Sequence, residues 1–181
     1  MADLNALRPA AKVEIATLTL GDLPAYKALR DQMLAAHPEA FTSDAAAERL
    51  KPPGAYSSRL GFERLEGGHF TLGAWRERRL VGAISCERDA RAKVRHIAQV
   101  VGMMVRDEVQ RQGIGHALLA ACIARARQAE GLELLTLSVT SSNASAVRLY
   151  RAAGFERYGS LRHAIKVGRS YHDKDQMALA L

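Results

Sequence analysis

The stretch VGMMVRDEVQRQGIGHALLAACIARA, residues 101–126, combines an apolar run, a charged segment, a glycine pair and a helical apolar repeat. A strand that leads into a helix through the loop around Gly113 and Gly115 is suited to hold an anion. The first amide N–H groups of a helix have no partner within it, and the helix dipole is positive at that end. Arg106 and Arg111 add positive charge nearby. We therefore expect an anion-binding site at the start of this helix.

The spacing of the loop excludes two common nucleotide sites. A dinucleotide loop would have a third glycine where this chain has Leu118, and the G-x-x-x-x-G-K-[ST] pattern of a triphosphate loop is absent. What remains is Gln110-x-x-Gly113-x-Gly115. Taken alone, this pattern fits either an anion cradle or a glycine-rich helix start that binds nothing.

The composition is that of an ordinary globular protein. The chain has 181 residues, of which 48% are hydrophobic and 25% charged, so we expect one domain spanning residues 1–181. No apolar run approaches the ~20 residues of a membrane span, and MADLNALRPAAK has no signal-peptide pattern. We expect a soluble, cytoplasmic protein without a membrane partner. Cys86 and Cys122 lack metal-ligand spacing and are expected to be buried hydrophobic residues.

The net charge of +7, from 26 basic and 19 acidic residues, suits an anionic ligand. A nucleic-acid-binding module is one alternative, but aromatic residues make up only 6% of the chain and do not alternate with the basic ones. We therefore expect no nucleic-acid partner.

Apolar periodicity predicts alternating strands and helices. The first helix runs from an Asp22 cap to about Ala36, with Arg30 and Asp31 facing solvent. A later helix spans about Gly113 to Glu130. Six segments read as strands: KVEIATLTL, HFTLGAWR, RLVGAISCERD, VRHIAQVVGMMV, LELLTLSV and KDQMALAL. The strand–helix–strand passage after Val105 should make its two strands parallel in an otherwise mostly antiparallel sheet.

A second motif lies one predicted strand downstream of the glycine loop. Residues 143–155, NASAVRLYRAAGF, match the pattern N-x-x-A-x-x-L-Y-x-x-x-G-F. Together with the loop, this motif resembles the GNAT superfamily of N-acetyltransferases, in which [QR]-x-x-G-x-[GA] binds the pyrophosphate of acetyl-CoA. The motif core covers about residues 94–158. PEAF (38–41), GMMV (102–105) and the ending at 168–179 also resemble bacterial members of the family that carry no assigned substrate.

The resemblance implies an α/β (α+β) GNAT fold: a mixed, mostly antiparallel sheet of about seven strands with helices on both faces. It implies an enzyme that moves the acetyl group of acetyl-CoA to a primary amine by direct attack, without a metal. The acceptor is expected to be a small molecule or a protein N-terminus. Dimerisation is frequent in the family, so a homodimer is compatible with this sequence.

The resemblance also implies which residues bind acetyl-CoA. The end of the predicted strand VRHIAQVVGMMV would bind the pantetheine arm. In the family this strand splays from its parallel neighbour and leaves a backbone donor for the oxyanion. Backbone N–H groups of the loop would bind the pyrophosphate. The cofactor-binding residues predicted in this way are Met103, Met104, Val105, Gln110, Arg111, Gln112, Gly113, Ile114, Gly115, His116 and Asn143.

Three residues are candidates for the chemistry. A further helix is predicted from about Asn143 to Ala153. Tyr150 lies seven residues after Asn143, on the same face of this helix, and by resemblance protonates the departing thiolate. Relatives that acetylate ribosomal proteins carry a glutamate near the position of Ser138, so their base is missing here. Glu87 and His96 on neighbouring strands are the replacement candidates, unless the amine loses its proton to solvent.

Two points stay open at this level. A non-catalytic acyl-CoA-binding sensor would keep the loop and would not need Tyr150. The acceptor pocket would be built by residues 36–41, 52–68 and 163–175, where Glu39, Asp173 and Asp175 could attract a cationic amine.

Overall fold

The structure, a computed structural model, describes residues 12–61 and 67–181. Residues 1–11, in which we predict no signal peptide, lie outside these ranges, as do residues 62–66. The described residues form seven strands: β1 (Glu14–Thr17), β2 (Phe70–Arg76), β3 (Arg79–Arg88), β4 (Ile97–Val105), β5 (Leu134–Thr140), β6 (Glu156–Val167) and β7 (Ser170–Ala180). They also form four α-helices: α1 (Leu23–Ala36), α2 (Ala45–Arg49), α3 (Ile114–Ala126) and α4 (Ala144–Ala152).

One mixed sheet contains all seven strands in the order β1-β2-β3-β4-β5-β7-β6. Only β4 and β5 run parallel, as the crossover through α3 requires. Neighbouring pairs elsewhere are antiparallel. This arrangement confirms the predicted fold class.

Helices cover both faces of the sheet, as the burial of side chains on both faces of β3 shows. Leu80 and Ala83 pack in the cluster around α1, whereas Val81 and Cys86 pack in the larger cluster around α3. A strand buried on both faces reads as a nearly continuous apolar run. Among the described residues, no helix combines the length and apolarity needed to cross a membrane.

The sequence pattern misjudged the environment of Arg30. We predicted that it faces solvent, but its side chain is only 4% exposed. Its Nε donates to Glu48 Oε2 at 3.0 Å and its Nη2 donates to Ser43 Oγ at 2.8 Å. The prediction was wrong because the partner that permits burial of the charge comes from α2, 18 residues later in the chain.

Three further details differ from the predictions. The long strand β6 was not recognised, because it lies at the sheet edge with both faces largely exposed and so lacks apolar alternation. Helix α3 ends at Ala126 rather than near Glu130, and turns lead to Gly131. Asp22 precedes α1 as predicted, but its carboxylate accepts from the N–H and hydroxyl of Thr19 instead of from the helix.

Candidate active site

A cleft of about 940 Å³ opens where β4 and β5 separate. The parallel ladder joins these strands only from Ile97↔Leu134 to Gln99↔Thr136, although they continue to Val105 and Thr140. Beyond Gln99, the edge of β4 that faces β5 carries no ladder hydrogen bonds. Backbone groups that a sheet normally pairs are therefore available to a ligand in the cleft.

The glycine loop lies at one end of this cleft. Arg111 and Gly113 have left-handed backbone conformations, with φ of 60° and 79°, and α3 begins directly after Gly113. The first backbone bond into the helix is Ala117 N–H to the Gly113 carbonyl. Within the described part of the chain, no acceptor is found for the N–H groups of residues 111–116. Six successive amides at a helix start are therefore free to donate to an anion.

Gly115 allows the loop to approach β4 closely. A Cβ built on Gly115 would lie 3.3 Å from Met103 Cε and 3.6 Å from Leu149 Cδ2. Gln110 also links the loop to β4, because its Nε2 donates to the Val105 carbonyl at 3.3 Å. The same Nε2 donates to Asp107 Oδ1 at 2.6 Å. The loop is therefore held against the open end of β4.

Strand β4 carries a bulge at the cleft. Its register with β3 shifts between Ala83 and Ser85, and Gly102 has a φ of 60°. Met103 and Val105 pack partly buried beside the main core, and Met104 is buried on the α1 side. The predicted pantetheine segment therefore lines the cleft, and its side chains also contribute to packing.

Helix α4 contributes Asn143 and Tyr150 to the other wall. Asn143 Oδ1 accepts from Ala146 N–H at 3.1 Å, so this residue caps the helix. Tyr150 is 7% exposed and its ring packs edge-on against Phe155, with 5.9 Å between ring centroids. Burial, with a smaller effect of Cys122, raises the pKa of Tyr150 to about 12. No hydrogen bond to its hydroxyl is found among the described residues.

Three of the predicted site residues do not line the cleft. The Gln112 side chain accepts from Arg76 Nη1 at 2.7 Å outside it. His96 precedes β4 at the end where β4 and β5 are paired, and its carbonyl accepts from Glu133 and Leu134. At ~3.3 Å per residue, His96 lies roughly 20 Å along the strand from Gly102. Glu87 lies nearer to Gly102, because it pairs with Gln99 of β4, but its carboxylate is paired with Arg59 Nη1 at 3.2 Å.

The cleft also contains residues that the motifs did not indicate. His37 follows α1, and its Nε2 lies 2.8 Å from Asp107 Oδ1. Arg59 comes from the 3₁₀ helix Pro53–Leu60, and Lys174 comes from β7. Lys174 donates to Thr42 Oγ1 at 3.2 Å, and burial lowers its pKa. These residues belong to the three segments predicted to build the acceptor pocket, but no spacing pattern connects them.

We predicted that three acidic residues could attract a cationic amine in that pocket, but two of them do not line the cleft. Glu39 lines the cleft, whereas Asp173 and Asp175 do not. Asp175 is buried, with its Oδ1 2.9 Å from Ser141 Oγ and 3.5 Å from Arg157 Nη1. Asp173 accepts from His163 N–H at 2.8 Å within the β6–β7 pair. Both carboxylates are therefore used within the fold.

Two other predictions concern metals and cysteines. No group of three or more His, Cys, Asp or Glu side chains that could hold a metal occurs in residues 12–61 and 67–181. Cys86 and Cys122 are buried free thiols, as predicted.

Comparison with known proteins extends the likeness to most of the chain. Residues 27–155 match the sequence profile of the Acetyltransferase (GNAT) family. An L-methionine sulfoximine/L-methionine sulfone acetyltransferase of Pseudomonas aeruginosa is 42% identical over 57 residues, which cover 32% of this chain and 33% of that protein. The match spans only about a third of the length of the curated relatives.

Solved structures show the same fold over nearly the whole chain. A GNAT-family acetyltransferase from Streptococcus pneumoniae is 23% identical with a TM-score of 0.84, covering 94% of this chain and 100% of that one. A Salmonella typhimurium protein solved with its cofactor acetyl-CoA is 19% identical with a TM-score of 0.80, covering 94% of both chains. Since the family profile covers well over half of the sequence, and the fold agrees with it, the chain belongs to the GNAT acetyltransferase family.

Proposed function

We propose that this protein transfers the acetyl group of acetyl-CoA to a primary amine of a small molecule or a protein N-terminus by direct attack. The observation that carries the proposal is that one cleft unites the amide cradle at residues 111–116, the unpaired edge of β4 and Tyr150. The acetyl-CoA in the Salmonella typhimurium structure supports the choice of donor. The Pseudomonas aeruginosa relative, named for acetylating L-methionine sulfoximine and L-methionine sulfone, supports a small-molecule acceptor.

In this proposal, the chain binds acetyl-CoA chiefly through its main chain. Amides from Arg111 to His116 donate to the pyrophosphate, and the edge of β4 at Met103, Met104 and Val105 donates to the pantetheine arm. Gln110 holds the loop to β4, Ile114 starts the helix and Gly115 permits close approach. Asn143 caps α4 beside the arm and so positions Tyr150.

Acetyl-CoA supplies an acetyl group activated as a thioester. The amine nitrogen forms a bond to the acetyl carbon while the carbon–sulfur bond breaks. The Tyr150 hydroxyl donates a hydrogen bond to the departing sulfur, which leaves as the thiolate, and a free N–H of β4 donates to the acetyl oxygen, where negative charge develops. The amine releases its proton to solvent through the open cleft. Neither His96 nor Glu87 acts as the base in this proposal. His96 lies at the other end of β4, and Glu87 is ion-paired with Arg59.

An acceptor screen tests this function. Purified protein is mixed with acetyl-CoA and a panel of amino acids, other small amines and peptides with free N-termini, and thiol release is followed. We expect turnover of at least one amine, together with calorimetric binding of acetyl-CoA. Binding of acetyl-CoA without turnover of any amine would contradict the proposal and favour the alternative, a non-catalytic acyl-CoA sensor.

A further inference from the structure

The charge of the acceptor side of the cleft points to an acidic group on the substrate. Its lining includes the cationic side chains of Arg59 and Lys174, together with His37, but Glu39 is the one carboxylate among the lining residues described. Arg30 also reaches the cleft, but Glu48 neutralises it. This wall would repel a purely cationic amine and attract a ligand that also carries negative charge.

Arg59 lies against the reacting strand. A Cβ built on Gly102, at the β4 bulge, would lie 3.4 Å from Arg59 Nη1, so the guanidinium packs against the bulge. Met103, the first residue of the proposed pantetheine segment, follows directly. A ligand group bound by Arg59 would therefore lie next to the acetyl group.

The guanidinium has donors to spare. Arg59 Nη1 lies 3.2 Å from Glu87 Oε1 and forms an ion pair with it. This Nη1 is buried and makes no hydrogen bond of good geometry. Within the described residues, no acceptor is found for Nε or Nη2. The side chain is 26% exposed, at the cleft. An arginine has five N–H donors in a planar fork that matches a carboxylate, so this side chain is equipped to bind one.

We infer that the acceptor is an amine that bears a carboxylate close to its amino group, as a free α-amino acid does, and that Arg59 binds this carboxylate. Glu87 is a positioning residue that holds the guanidinium against the β4 bulge. Since the two groups of an α-amino acid are joined through one carbon, a carboxylate on Arg59 directs the amine toward the proposed position of the acetyl group. A protein N-terminus has no carboxylate there. This inference rests on the proposed acetyl transfer.

The test compares matched acceptors at saturating acetyl-CoA. The twenty common L-amino acids are assayed by thiol release beside their α-carboxamides and their decarboxylated amines. We expect turnover of at least one amino acid, with kcat/KM at least about 30-fold above that of its carboxamide, as for loss of one partner of a buried charge pair. Turnover only of amines without a carboxylate, or equal turnover of acid and amide, would overturn the inference and leave the proposed function intact.

Variants assign the effect to Arg59. Arg59→Gln should raise KM for the amino acid far more than it lowers kcat, and should bring the acid-to-amide ratio close to one. Glu87→Gln should lower that ratio by a smaller factor, because the guanidinium keeps its charge but loses its orienting partner. Arg169→Gln, in the exposed β6–β7 turn, is the matched control and should leave the ratio unchanged. An unchanged ratio in Arg59→Gln would overturn the inference; no turnover in any arm would overturn the proposed function and this inference with it.

Discussion

Tyr150 lines the cleft with a largely buried side chain, and this environment sets the protonation state of its hydroxyl. Burial raises the pKa of Tyr150 to about 12, from an ordinary value near 10. The hydroxyl therefore keeps its proton throughout the neutral range. A thiol has an ordinary pKa near ~8.5, so complete proton transfer from Tyr150 to a free thiolate is uphill. Its contribution must come from a hydrogen bond that strengthens as charge grows on sulfur.

Replacement of Tyr150 by Phe removes this donor but keeps the ring against Phe155. We expect kcat to fall by about 10²–10³, the usual effect of removing one hydrogen-bond donor to a developing charge, while the Kd for acetyl-CoA changes little. Steady-state kinetics and calorimetry measure the two quantities. Tyr158→Phe, on a residue that is 65% exposed, is the control. Wild-type activity in Tyr150→Phe would remove Tyr150 from the mechanism.

The pH dependence of kcat gives a second test at this residue. An acid must be protonated to act, and a raised pKa extends its protonated range upward. Because the pKa of Tyr150 is about 12, it should cause no loss of kcat below about pH 11. A fall in kcat near pH 8–10 that disappears in Tyr150→Phe would contradict this expectation.

Two local assemblies of elements shape the cleft. The glycine loop and the start of α3 form the proposed anion cradle, and Gly113 makes its sharp turn possible with a φ of 79°. Opposite, α1 and α2 are joined by the buried Arg30–Glu48 pair, which Tyr56 and Lys51 extend with hydrogen bonds of 2.8 Å and 2.5 Å to Glu48. This network anchors both ends of the connection that includes His37, Glu39 and Ser43.

Gly113→Ala tests the cradle. A Cβ at Gly113 meets no atom within 4 Å, so the expected effect is conformational rather than steric. The left-handed region costs an ordinary residue about 1–2 kcal/mol. The substituted turn should relax in the free protein and binding must restore it, so we expect the Kd for acetyl-CoA to rise about 5- to 30-fold in calorimetry. Gly113→Asn, which tolerates this conformation better, should bind more tightly than Gly113→Ala. Unchanged affinity in Gly113→Ala would refute a role for the turn in binding.

Glu48→Ala tests the α1–α2 network. Removal of one partner of a buried ion pair leaves Arg30 uncompensated, and we expect a loss of about 3–5 kcal/mol in the free energy of unfolding, measured with urea. Glu130→Ala, at an exposed position, should change it by less than about 0.5 kcal/mol.

The stabilisation by Glu48 should also depend on pH. Burial alone would raise the pKa of Glu48, but hydrogen bonds from Lys51, Tyr56 and Arg30 outweigh it and lower the pKa to about 2. A lowered carboxyl pKa stabilises the fold fully above about pH 4.5, and this contribution is lost as the pH falls through 2. The difference in stability between wild type and Glu48→Ala should therefore shrink over this window. A constant difference from pH 6 to pH 2 would contradict the assigned role.

At the scale of the whole molecule, the sheet has one weak seam. Strands β4 and β5 share three residue pairs, whereas the β3–β4 and β5–β7 ladders extend along most of their strands. The seam opens into the cleft, where acetyl-CoA would contact β4, α3 and α4 at once. A ligand that bridges the two halves of the sheet should stabilise the fold as a whole.

The linkage between binding and unfolding makes this measurable. At about 100 times its Kd, a ligand that binds only the folded state adds about 2.7 kcal/mol. For a chain of this size, that corresponds to a rise in Tm of about 5–10 °C. Thermal unfolding with and without acetyl-CoA measures the shift, and Gly113→Ala should show a smaller one at the same concentration. An unchanged Tm for the wild type would count against binding in the seam.

Local patterns in the sequence were sufficient for the fold class, the crossover between β4 and β5, the glycine loop before α3 and the helix that Asn143 caps and that carries Tyr150. Helical periodicity, glycine conformation and capping depend on residues close in the chain, so a sequence displays them directly. The length of the ladder between β4 and β5, the burial of Arg30 against Glu48 and the pairing of Arg59 with Glu87 depended on tertiary structure. Each joins residues from separate elements, and only the packing of those elements decides whether a charge faces water, a partner or a substrate.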